Sequence, residues 1–385
     1  MLRFLTAGES HGPGLVAIVE GIPKGLAVML DDFASELARR RGGYGRGKRM
    51  AIEGDQLEIL GGIRHGMTLG SPIAVVVRNT EWDKWNEIMS PEPGSAGKEV
   101  TRPRPGHADL AGMVKYDTDD ARDILERASA RETAARTIAG VLANLLLRQA
   151  DVTVMSHVVS IGAVAYEGPT PEVGDVASIE SSPVRCFNAD TSDEMVAAID
   201  EANERKDTLG GVFEVIAHNV PIGIGSHIQH DRRLDALLAG SMISIPAIKG
   251  VEIGEAFDIA RRPGSEAHDE IVRQESAIGR ESNRAGGIEG GMSNGEAIRV
   301  RAAMKPISTL MQPLRTIDMA TGDEAKAVRE RSDVCAVPAA AVVGEQMVAI
   351  TVASEMLRKF GGDTVEEFTA AVASYRSRVS TRLSK

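Results

Sequence analysis

Two histidines lie in loops whose composition suits a catalytic site. His11 lies in Gly8-Glu-Ser-His-Gly-Pro-Gly14, and His107 lies in Arg102-Pro-Arg-Pro-Gly-His-Ala-Asp109. Loops of this kind hold a side chain in place while leaving backbone open to a ligand. Because imidazole titrates near neutral pH, either histidine could donate a proton or stabilise a departing phosphate. For each histidine alone, a hydrogen-bonded loop residue is the alternative.

A cationic, glycine-rich stretch at residues 39–50 is the second feature with chemical potential. It reads Arg-Arg-Arg-Gly-Gly-Tyr-Gly-Arg-Gly-Lys-Arg-Met, with five arginines, one lysine and no acid. The whole chain has a net charge of -11, so the cluster does not follow from a basic composition. Glycine lets the backbone approach a ligand closely. We therefore expect a loop that binds a small, strongly negative ligand, with a solvated surface loop as the alternative.

A third candidate joins a glycine-rich segment to a short cationic motif. Residues 286–295 hold five glycines and precede a strand-like run, after which comes Lys305-Pro-Ile-Ser-Thr309. A cation, two hydroxyls and exposed N–H groups could hold a phosphate or the oxygens of a flavin. The pattern matches no Walker motif, so a flexible turn is the alternative. His227 and His230 have no nearby cysteine, and we expect no metal site there.

Strands and helices that could position these loops follow from hydrophobic periodicity. The proline-rich run at 90–106 cannot form regular structure, and 169–183 looks like an inserted loop. The polar exception in the helical pattern at 119–149 is Glu132, which faces either a pocket or solvent. We predict strands at 15–19, 73–77, 152–161, 211–220 and 298–304, and helices at 32–41, 119–149, 192–206, 232–242 and 338–360.

The totals exclude several classes of protein. Two cysteines far apart give no disulfide framework, and aromatics at 3% of the 385 residues leave few platforms for stacking bases. The first residues lack the apolar core of a signal peptide, and no uncharged apolar run reaches the ~18 residues that span a bilayer. We expect a cytoplasmic enzyme that binds neither membrane nor nucleic acid.

Taken together, the motifs closely resemble the chorismate synthase family along essentially the whole chain. The carriers of the resemblance are Ala7-Gly-Glu-Ser-His-Gly12, Arg41-Gly-Gly-Tyr-Gly-Arg-Gly-Lys-Arg-Met50, Arg104-Pro-Gly-His-Ala-Asp109, Arg127-Ala-Ser-Ala-Arg-Glu-Thr-Ala-Ala-Arg136, Gly290-Gly-Met-Ser-Asn-Gly295 and Arg331-Ser-Asp-Val-Cys-Ala-Val-Pro-Ala339. Each is weak or moderate alone, but their order makes the set specific.

The resemblance implies an α+β fold, a β-α-β sandwich with helices packed between sheets. It implies a single domain over residues 1–385, with long active-site loops at about 39–50, 90–110, 286–295 and 305–335. It also implies a homotetramer. The implied reaction is an anti-1,4-elimination of phosphate from 5-enolpyruvylshikimate 3-phosphate, giving chorismate with a requirement for reduced FMN.

The resemblance also implies roles for individual residues. His11 would stand beside the departing phosphate, His107 would protonate or hold the reduced flavin, and Asp333 would help remove the ring proton. Ser10, Arg46 and Arg49 would bind substrate, with Arg131 as a further candidate, and Arg40 and Arg46 match NADP positions. The flavin positions would be Arg127, Ala128, Ser129, Pro246, Ala247, Gly290, Lys305, Pro306, Ile307, Ser308, Thr309 and Arg331.

Two points stay open at this stage. Pro246 departs from the amide side chain common in the family, and proline has no N–H to donate. The source of reduced flavin is either NADPH used by the protein itself or a separate flavin reductase. Two rival functions are a flavin oxidoreductase, which would consume NADPH with each product formed, and an RNA-binding protein, which would show salt-sensitive RNA affinity.

Overall fold

The computed structural model describes residues 2–47, 56–94, 97, 99–274, 277–328 and 333–384. In these residues a layer of helices lies between two antiparallel sheets. This arrangement confirms the expected α+β class and the sandwich with helices between its sheets.

The first sheet has the strand order β1-β2-β6-β3. Its side chains alternate between the helix layer and the outer face, as the period of two in a strand requires. In β2, Leu15, Ala17 and Val19 point inward and are buried, whereas Ile18 points outward and is exposed. The strands are β1 (Arg3–Ala7), β2 (Gly14–Glu20), β3 (Gln56–Gly61) and β6 (Ile73–Arg78), with β4 (Ile63–Arg64) and β5 (Met67–Thr68) forming a small hairpin.

The second sheet has the order β10-β15-β9-β7-β8, and β9 at its centre is almost wholly buried. Its strands are β7 (Thr153–Ile161), β8 (Val164–Ala165), β9 (Gly211–His218), β10 (Ile248–Ile253) and β15 (Ile298–Met304). Short hairpins join β11 (Ile271–Arg273) to β12 (Ile278–Arg280), β13 (Ile288–Glu289) to β14 (Met292–Ser293), and β16 (Arg315–Ile317) to β17 (Glu324–Lys326).

The helices α1, α4 and α10 form the layer between the sheets. The α-helices are α1 (Leu30–Arg41), α2 (Asp109–Tyr116), α3 (Arg122–Ala128), α4 (Thr133–Arg148), α5 (Val176–Ser181), α6 (Ala189–Glu204), α7 (Leu234–Ile243), α8 (Ala256–Ile259), α9 (Gly264–Ala267), α10 (Val337–Phe360) and α11 (Val365–Leu383). Short 3-10 turns lie at Trp82–Lys84, Ala130–Glu132, Val173–Asp175 and His230–Arg232.

Two glycines allow α10 to sit in the centre of the sandwich. A Cβ placed on Gly140 of α4 would lie 2.2 Å from Cβ of Gln346, and one on Gly344 would lie 2.5 Å from the ring of Phe213. The missing side chains therefore let α10 approach both α4 and the second sheet closely. By length and composition α10 could cross a membrane, but 89% of its most apolar window is buried within the protein, as in a core helix.

Most predicted strands and helices are confirmed to within a few residues, but three predictions were wrong. The segment 169–183 is not simply a loop, since it contains a 3-10 turn and α5. The pattern at 119–149 is not one helix, because the chain is extended at Ser129 between α3 and α4. The 39–50 loop starts later than predicted, since α1 continues to Arg41.

Two further loops contain more structure than predicted. The segments expected at 286–295 and 305–335 contain the hairpins β13–β14 and β16–β17. The hairpin β16–β17 packs beside the proline-rich segment, because the N–H of Met319 donates to the carbonyl of Thr101 at 2.8 Å and Thr316 Oγ1 donates to the carbonyl of Pro103 at 2.7 Å.

Candidate active site

The break at Ser129 creates a polar turn at the end of α3. Ser129 is extended, with ψ of 141°, and its hydroxyl accepts a hydrogen bond from the backbone N–H of Arg131. Serine favours such capping positions because its hydroxyl replaces a helical partner. The same hydroxyl donates to Ser10 Oγ at 3.2 Å. The break therefore brings two predicted site residues together.

His11 is held by a buried carboxylate. Its Nδ1 lies 2.9 Å from each carboxylate oxygen of Glu126, and its backbone N–H donates to Glu126 Oε2 at 2.9 Å. Asn79 fixes the same loop by donating to the carbonyls of Ser10 and Gly12, both at 3.1 Å. Burial opposes the charge of Glu126, but the hydrogen bonds from His11 outweigh it and lower the pKa of this carboxyl. His11 is thus part of a hydrogen-bonded pair in a rigid loop.

An aromatic ring fixes the plane of His11. Trp85 stacks on the imidazole with ring centroids 3.9 Å apart. The guanidinium of Arg122 lies 5.3 Å from the Trp85 ring and also donates to Glu126 Oε1 at 3.0 Å. Arg122 therefore supports both groups that hold His11.

The guanidinium of Arg127 is engaged mainly with the backbone of the first sheet. It donates to the carbonyls of Gly8 and Thr6, both at 3.0 Å, and to Thr6 Oγ1 at 2.7 Å. These bonds anchor the end of α3, and with it Ala128, to the loop that carries His11. A flavin contact from Arg127 would use its backbone or the guanidinium N–H groups that do not take part in these hydrogen bonds.

His107 is also paired with a buried carboxylate. Its Nδ1 contacts Asp109, whose side chain is fully buried. Arg104 donates to Asp109 through its backbone N–H at 3.0 Å and Nε at 2.8 Å, and its Nη1 donates to Thr309 Oγ1 at 3.0 Å. Burial opposes the charge of Asp109, but hydrogen bonds from His107 and Arg104 outweigh it and hold its pKa far below the ordinary value.

The segment 305–309 lies against the His107 loop. A Cβ on Gly106 would lie 3.6 Å from Cβ of Ser308 and 3.7 Å from Nζ of Lys305. Burial, followed by the positive charge of Lys249, lowers the pKa of Lys305 below its ordinary value. Among the described residues Lys305 has no acidic partner. An anionic ligand would therefore be stabilised beside this ammonium group.

The remaining positions of this segment are held by backbone contacts. Thr208 Oγ1 donates to the carbonyl of Ile307 at 2.8 Å, and the N–H of Lys305 donates to the carbonyl of Ala247 at 3.0 Å. Ala247 has φ of 69°, which is unusual for a residue with a side chain. Pro306 is exposed and Pro246 half-buried. The predicted pair 246–247 thus adjoins the predicted segment 305–309.

Gly290 lies apart from that group. It has φ of 58° in the turn between β13 and β14, with open space where a Cβ would be. The hairpin packs at the start of α7, where the N–H of Leu234 donates to the carbonyl of Gly291 at 2.9 Å. Ala247 follows the other end of α7, and ten helical residues span about 15 Å. No contact in the described residues joins Gly290 to Lys305 directly.

Arg46 and Asp333 form an ion pair. Arg46 Nη1 lies 2.8 Å from Asp333 Oδ2, and the backbone N–H of Gly47 donates to Asp333 Oδ1 at 2.7 Å. The N–H of Val334 donates to the carbonyl of Gly45 at 2.8 Å. The arginine loop is therefore joined to the segment that carries Asp333. The predicted residues Arg49 and Arg331 lie outside the described residues.

The arginines at the end of α1 do not act as one cationic surface. Arg39 contacts the carboxylates of Glu36, Glu180 and Glu345 at 2.6 to 2.8 Å. Its charge is therefore neutralised, and its assignment to an anion-binding loop was wrong. Arg40 is buried, and its guanidinium contacts the turn that follows Ser129.

Arg40 connects α1 to the region of His11. Its Nε donates to Thr133 Oγ1 and its Nη2 to the carbonyl of Ala130, both at 2.8 Å. Arg131 in the same turn is also buried. Glu132 does not face solvent, because it is buried and pairs with Arg136 at 2.6 Å. Direct contact between NADP and Arg40 would require this guanidinium to move.

Several residues of the site were not predicted. Asp109 and Arg104 flank His107 in the sequence, so their spacing was a usable signal. Glu126 is 115 positions from His11, and neither it nor Trp85 belongs to a local motif that predicts the contact. Among the described residues no cluster of three metal-ligating side chains occurs.

Comparisons with known proteins find similar sequences and a similar fold. A family profile described as "Chorismate synthase" matches residues 2–357. The chorismate synthase of Rhodococcus jostii (strain RHA1) is 56% identical over 395 residues, covering 100% of both chains. That of Corynebacterium jeikeium (strain K411) is 55% identical over 399 residues, covering 100% of this chain and 94% of the relative. A solved structure described as "Crystal Structure of Chorismate Synthase" has a TM-score of 0.80 and 42% identity, covering 99% of this chain and 98% of the other.

Proposed function

Because the chain belongs to the chorismate synthase family, we propose that it converts 5-enolpyruvylshikimate 3-phosphate into chorismate. The reaction is an anti-1,4-elimination of phosphate and a ring hydrogen, without net redox change. It makes the protein a carbon-oxygen lyase of the shikimate pathway to aromatic amino acids. The observation that carries the proposal is that both candidate catalytic histidines, His11 and His107, have Nδ1 bound to a buried carboxylate.

The cationic groups of the site suit an anionic substrate. Arg46, together with Arg49, is assigned to the phosphate and the carboxylates of the substrate, with Ser10 and Arg131 beside them. As the C–O bond breaks, its electron pair goes to the phosphate oxygen. Preorganised donors at the place where this charge develops give large catalytic effects. His11 is assigned to that oxygen, and Asp333 to the side of the ring that loses hydrogen.

The site also fits reduced FMN. Lys305 is a half-buried cation without an acidic partner among the described residues, which suits a phosphate-bearing ligand. Ser308 lies beside it, and the backbone of Ala247 and the open face of Gly290 complete the proposed flavin positions with residues 127–129 and 305–309. When bound, a reduced flavin would supply electron density to the substrate transiently and take it back, which assists the breaking of a C–H bond that is too weakly acidic for an ordinary side-chain base. His107 is assigned to protonate or hold the reduced flavin.

Assembly, location and flavin supply are proposed from the family. A homotetramer is supported by exposed apolar side chains on the first sheet, where Leu5 is 68% exposed and its cross-strand neighbour Ile18 is 41% exposed. We place the protein in the cytoplasm, where reduced flavin comes from a separate reductase or from NADPH. Arg46, which is paired with Asp333, is assigned both to the substrate and to NADP. Binding measurements with each ligand would separate these two assignments.

The direct test is anaerobic incubation of the protein with 5-enolpyruvylshikimate 3-phosphate and reduced FMN. We expect phosphate and chorismate to appear together in equal amounts, and omission of the flavin to stop both. His11→Ala and His107→Ala should each lower turnover by about 10²-fold or more, whereas replacement of the exposed His227 by alanine should not. Absence of phosphate release, or NADPH consumption matching product, would contradict the proposal.

A further inference from the structure

The carboxylate of Glu126 lies within hydrogen-bond distance of three nitrogen atoms. They are the backbone N–H of His11, the Nδ1 of His11 and Nη1 of Arg122, at 2.9, 2.9 and 3.0 Å. Because Glu126 is only 2% exposed, bulk water cannot hydrogen-bond to its carboxylate in place of these groups. An ionised carboxylate can only accept hydrogen bonds. The nitrogen of His11 that faces it must therefore carry a hydrogen.

The geometry also restricts which nitrogen of His11 can exchange a proton. Nδ1 is committed to Glu126, and the stacked Trp85 prevents the ring from turning freely. Arg122 contacts both Glu126 and Trp85 and so maintains this arrangement. Proton exchange with a ligand is thus directed through Nε2.

We propose that Glu126 is a positioning residue that keeps the hydrogen of His11 on Nδ1 and presents Nε2 to the leaving phosphate. The inference rests on the proposed function for the identity of the ligand. As the C–O bond breaks and its electron pair passes to the phosphate oxygen, cationic His11 donates its Nε2 proton to that oxygen. The imidazole is left neutral with its hydrogen on Nδ1, bonded to Glu126. The proton that the phosphate oxygen gains is the one that Nε2 loses. The electron pair of the broken C–H bond stays in the ring as part of the new double-bond system, and the ring proton leaves on the side assigned to Asp333.

A glutamine at this position cannot replace the carboxylate. Three donors face the site, so the amide NH₂ of Glu126→Gln has no acceptor unless the imidazole of His11 changes tautomer. In the other tautomer Nδ1 accepts from the amide and Nε2 carries the hydrogen. The proposal therefore predicts a change of tautomer that a purely structural role for Glu126 does not.

The tautomer can be measured without substrate or flavin. Solid-state NMR of protein labelled with 15N-histidine, titrated from acid to alkaline pH, should show neutral His11 protonated on Nδ1 in the wild type. The His11 signal is identified by its loss in His11→Gln. Glu126→Gln should move the hydrogen to Nε2, and Glu126→Asp should leave it on Nδ1. Wild-type His11 with a bare Nδ1, or an unchanged tautomer in Glu126→Gln, would overturn the proposal.

Activity provides the second arm of the test. Loss of the group that orients a metal-bound histidine typically costs about 10- to 100-fold, and we expect Glu126→Gln to lower kcat by a similar factor with little change in KM. Glu126→Asp should recover part of the loss. The control is Asp123→Asn, the same chemical change at an exposed position of the same helix, where the carboxylate accepts only from Thr118 among the described residues. If the wild type forms no chorismate, the proposed function fails, while the NMR measurement still decides the role of Glu126.

Discussion

The carboxylate of Asp333 holds the guanidinium of Arg46 at 2.8 Å, so the proposed acid and a proposed substrate-binding cation are paired with each other. Their side chains are 18% and 13% exposed respectively. An anionic substrate that binds Arg46 would compete with Asp333 for the same charge. In the proposed reaction, substrate binding would then break this ion pair at Asp333, the residue assigned to the removal of a proton.

This relationship predicts different effects of two substitutions. Asp333→Asn should lower turnover by about 10²- to 10⁴-fold, the usual contribution of a positioned acid or base. It should not weaken substrate binding, because Arg46 is no longer held by a carboxylate. Arg46→Ala should instead weaken binding. Calorimetric titration with 5-enolpyruvylshikimate 3-phosphate measures the effect on binding, and initial rates of phosphate release measure the effect on turnover. The control is Asp200→Asn, which among the described residues alters only the contact with Tyr44. Equal loss of affinity in both variants would contradict this account.

The pair formed by His107 and Asp109 yields a second prediction. The carboxylate of Asp109 contacts His107 Nδ1 and accepts from three N–H groups of Arg104, and Asp109→Asn replaces one of its two oxygens by an NH₂ group that cannot accept. We expect turnover to fall by about 10- to 100-fold, and the free energy of unfolding to fall by about 3–5 kcal/mol because a buried charge loses its partner. Turnover should be measured where circular dichroism shows the variant fully folded. Asp117→Asn, exposed at the opposite end of α2, is the control. Unchanged turnover would exclude Asp109 from positioning His107.

The close approach of α4 and α10 yields a stability prediction. The Cβ of Gly140→Ala would meet Cβ and Cα of Gln346 at 2.2 and 2.7 Å, and neither atom can move without its helix. Overpacking typically costs about 1–3 kcal/mol, which here exceeds the gain of about 1 kcal/mol in helix propensity. Urea unfolding should show a net loss. Gly240→Ala in α7 is the matched control, because no atom lies within 4 Å of its new Cβ, and it should be neutral or stabilising. Equal stability of the two variants would contradict tight packing at Gly140.

The sequence was sufficient to predict those features of the fold and the site that depend on a local pattern of residues. The long apolar run with proline in its first turn and glycine after its end predicted α10 almost to the residue. Strand β15 was predicted at its observed bounds. The group of Arg104, His107 and Asp109 lies within six consecutive residues, and the structure brings all three side chains into contact. Such features depend on neighbours in the chain.

The features that could not be predicted depend on contacts between segments that are distant in the sequence. Arg39 looked like part of an anion receptor, but its charge is neutralised by Glu345, which is 306 positions away. Helical spacing continued through Ser129, yet the hydroxyl of Ser129 bonds to the backbone and to Ser10 and ends the helix there. The partner of His11 could not be predicted for the same reason, because only the folded chain brings Glu126 next to His11.

A buried carboxylate in the second sheet yields a prediction about pH. Glu214 of β9 accepts from Arg299 and Arg301 and lies 3.2 Å from Nε2 of His157. Burial opposes its charge, but the hydrogen bond from His157 and the two arginines outweigh it and lower the pKa of Glu214 to about 2. A carboxyl whose pKa is lower in the folded than in the unfolded protein stabilises the fold above its unfolded pKa.

The contribution of Glu214 should therefore be complete at neutral pH and decrease as the pH falls from the ordinary glutamate value of about 4.5 towards about 2. Glu214→Gln should lower the free energy of unfolding by about 3–5 kcal/mol at neutral pH, because the arginines lose a buried partner. The difference from wild type should shrink in acid. Urea unfolding at several pH values and one protein concentration measures this difference in the free energy of unfolding. The control is Glu201→Gln, which alters an exposed ion pair. A difference that stays constant or grows as the pH falls would show that the charge of Glu214 does not stabilise the sheet.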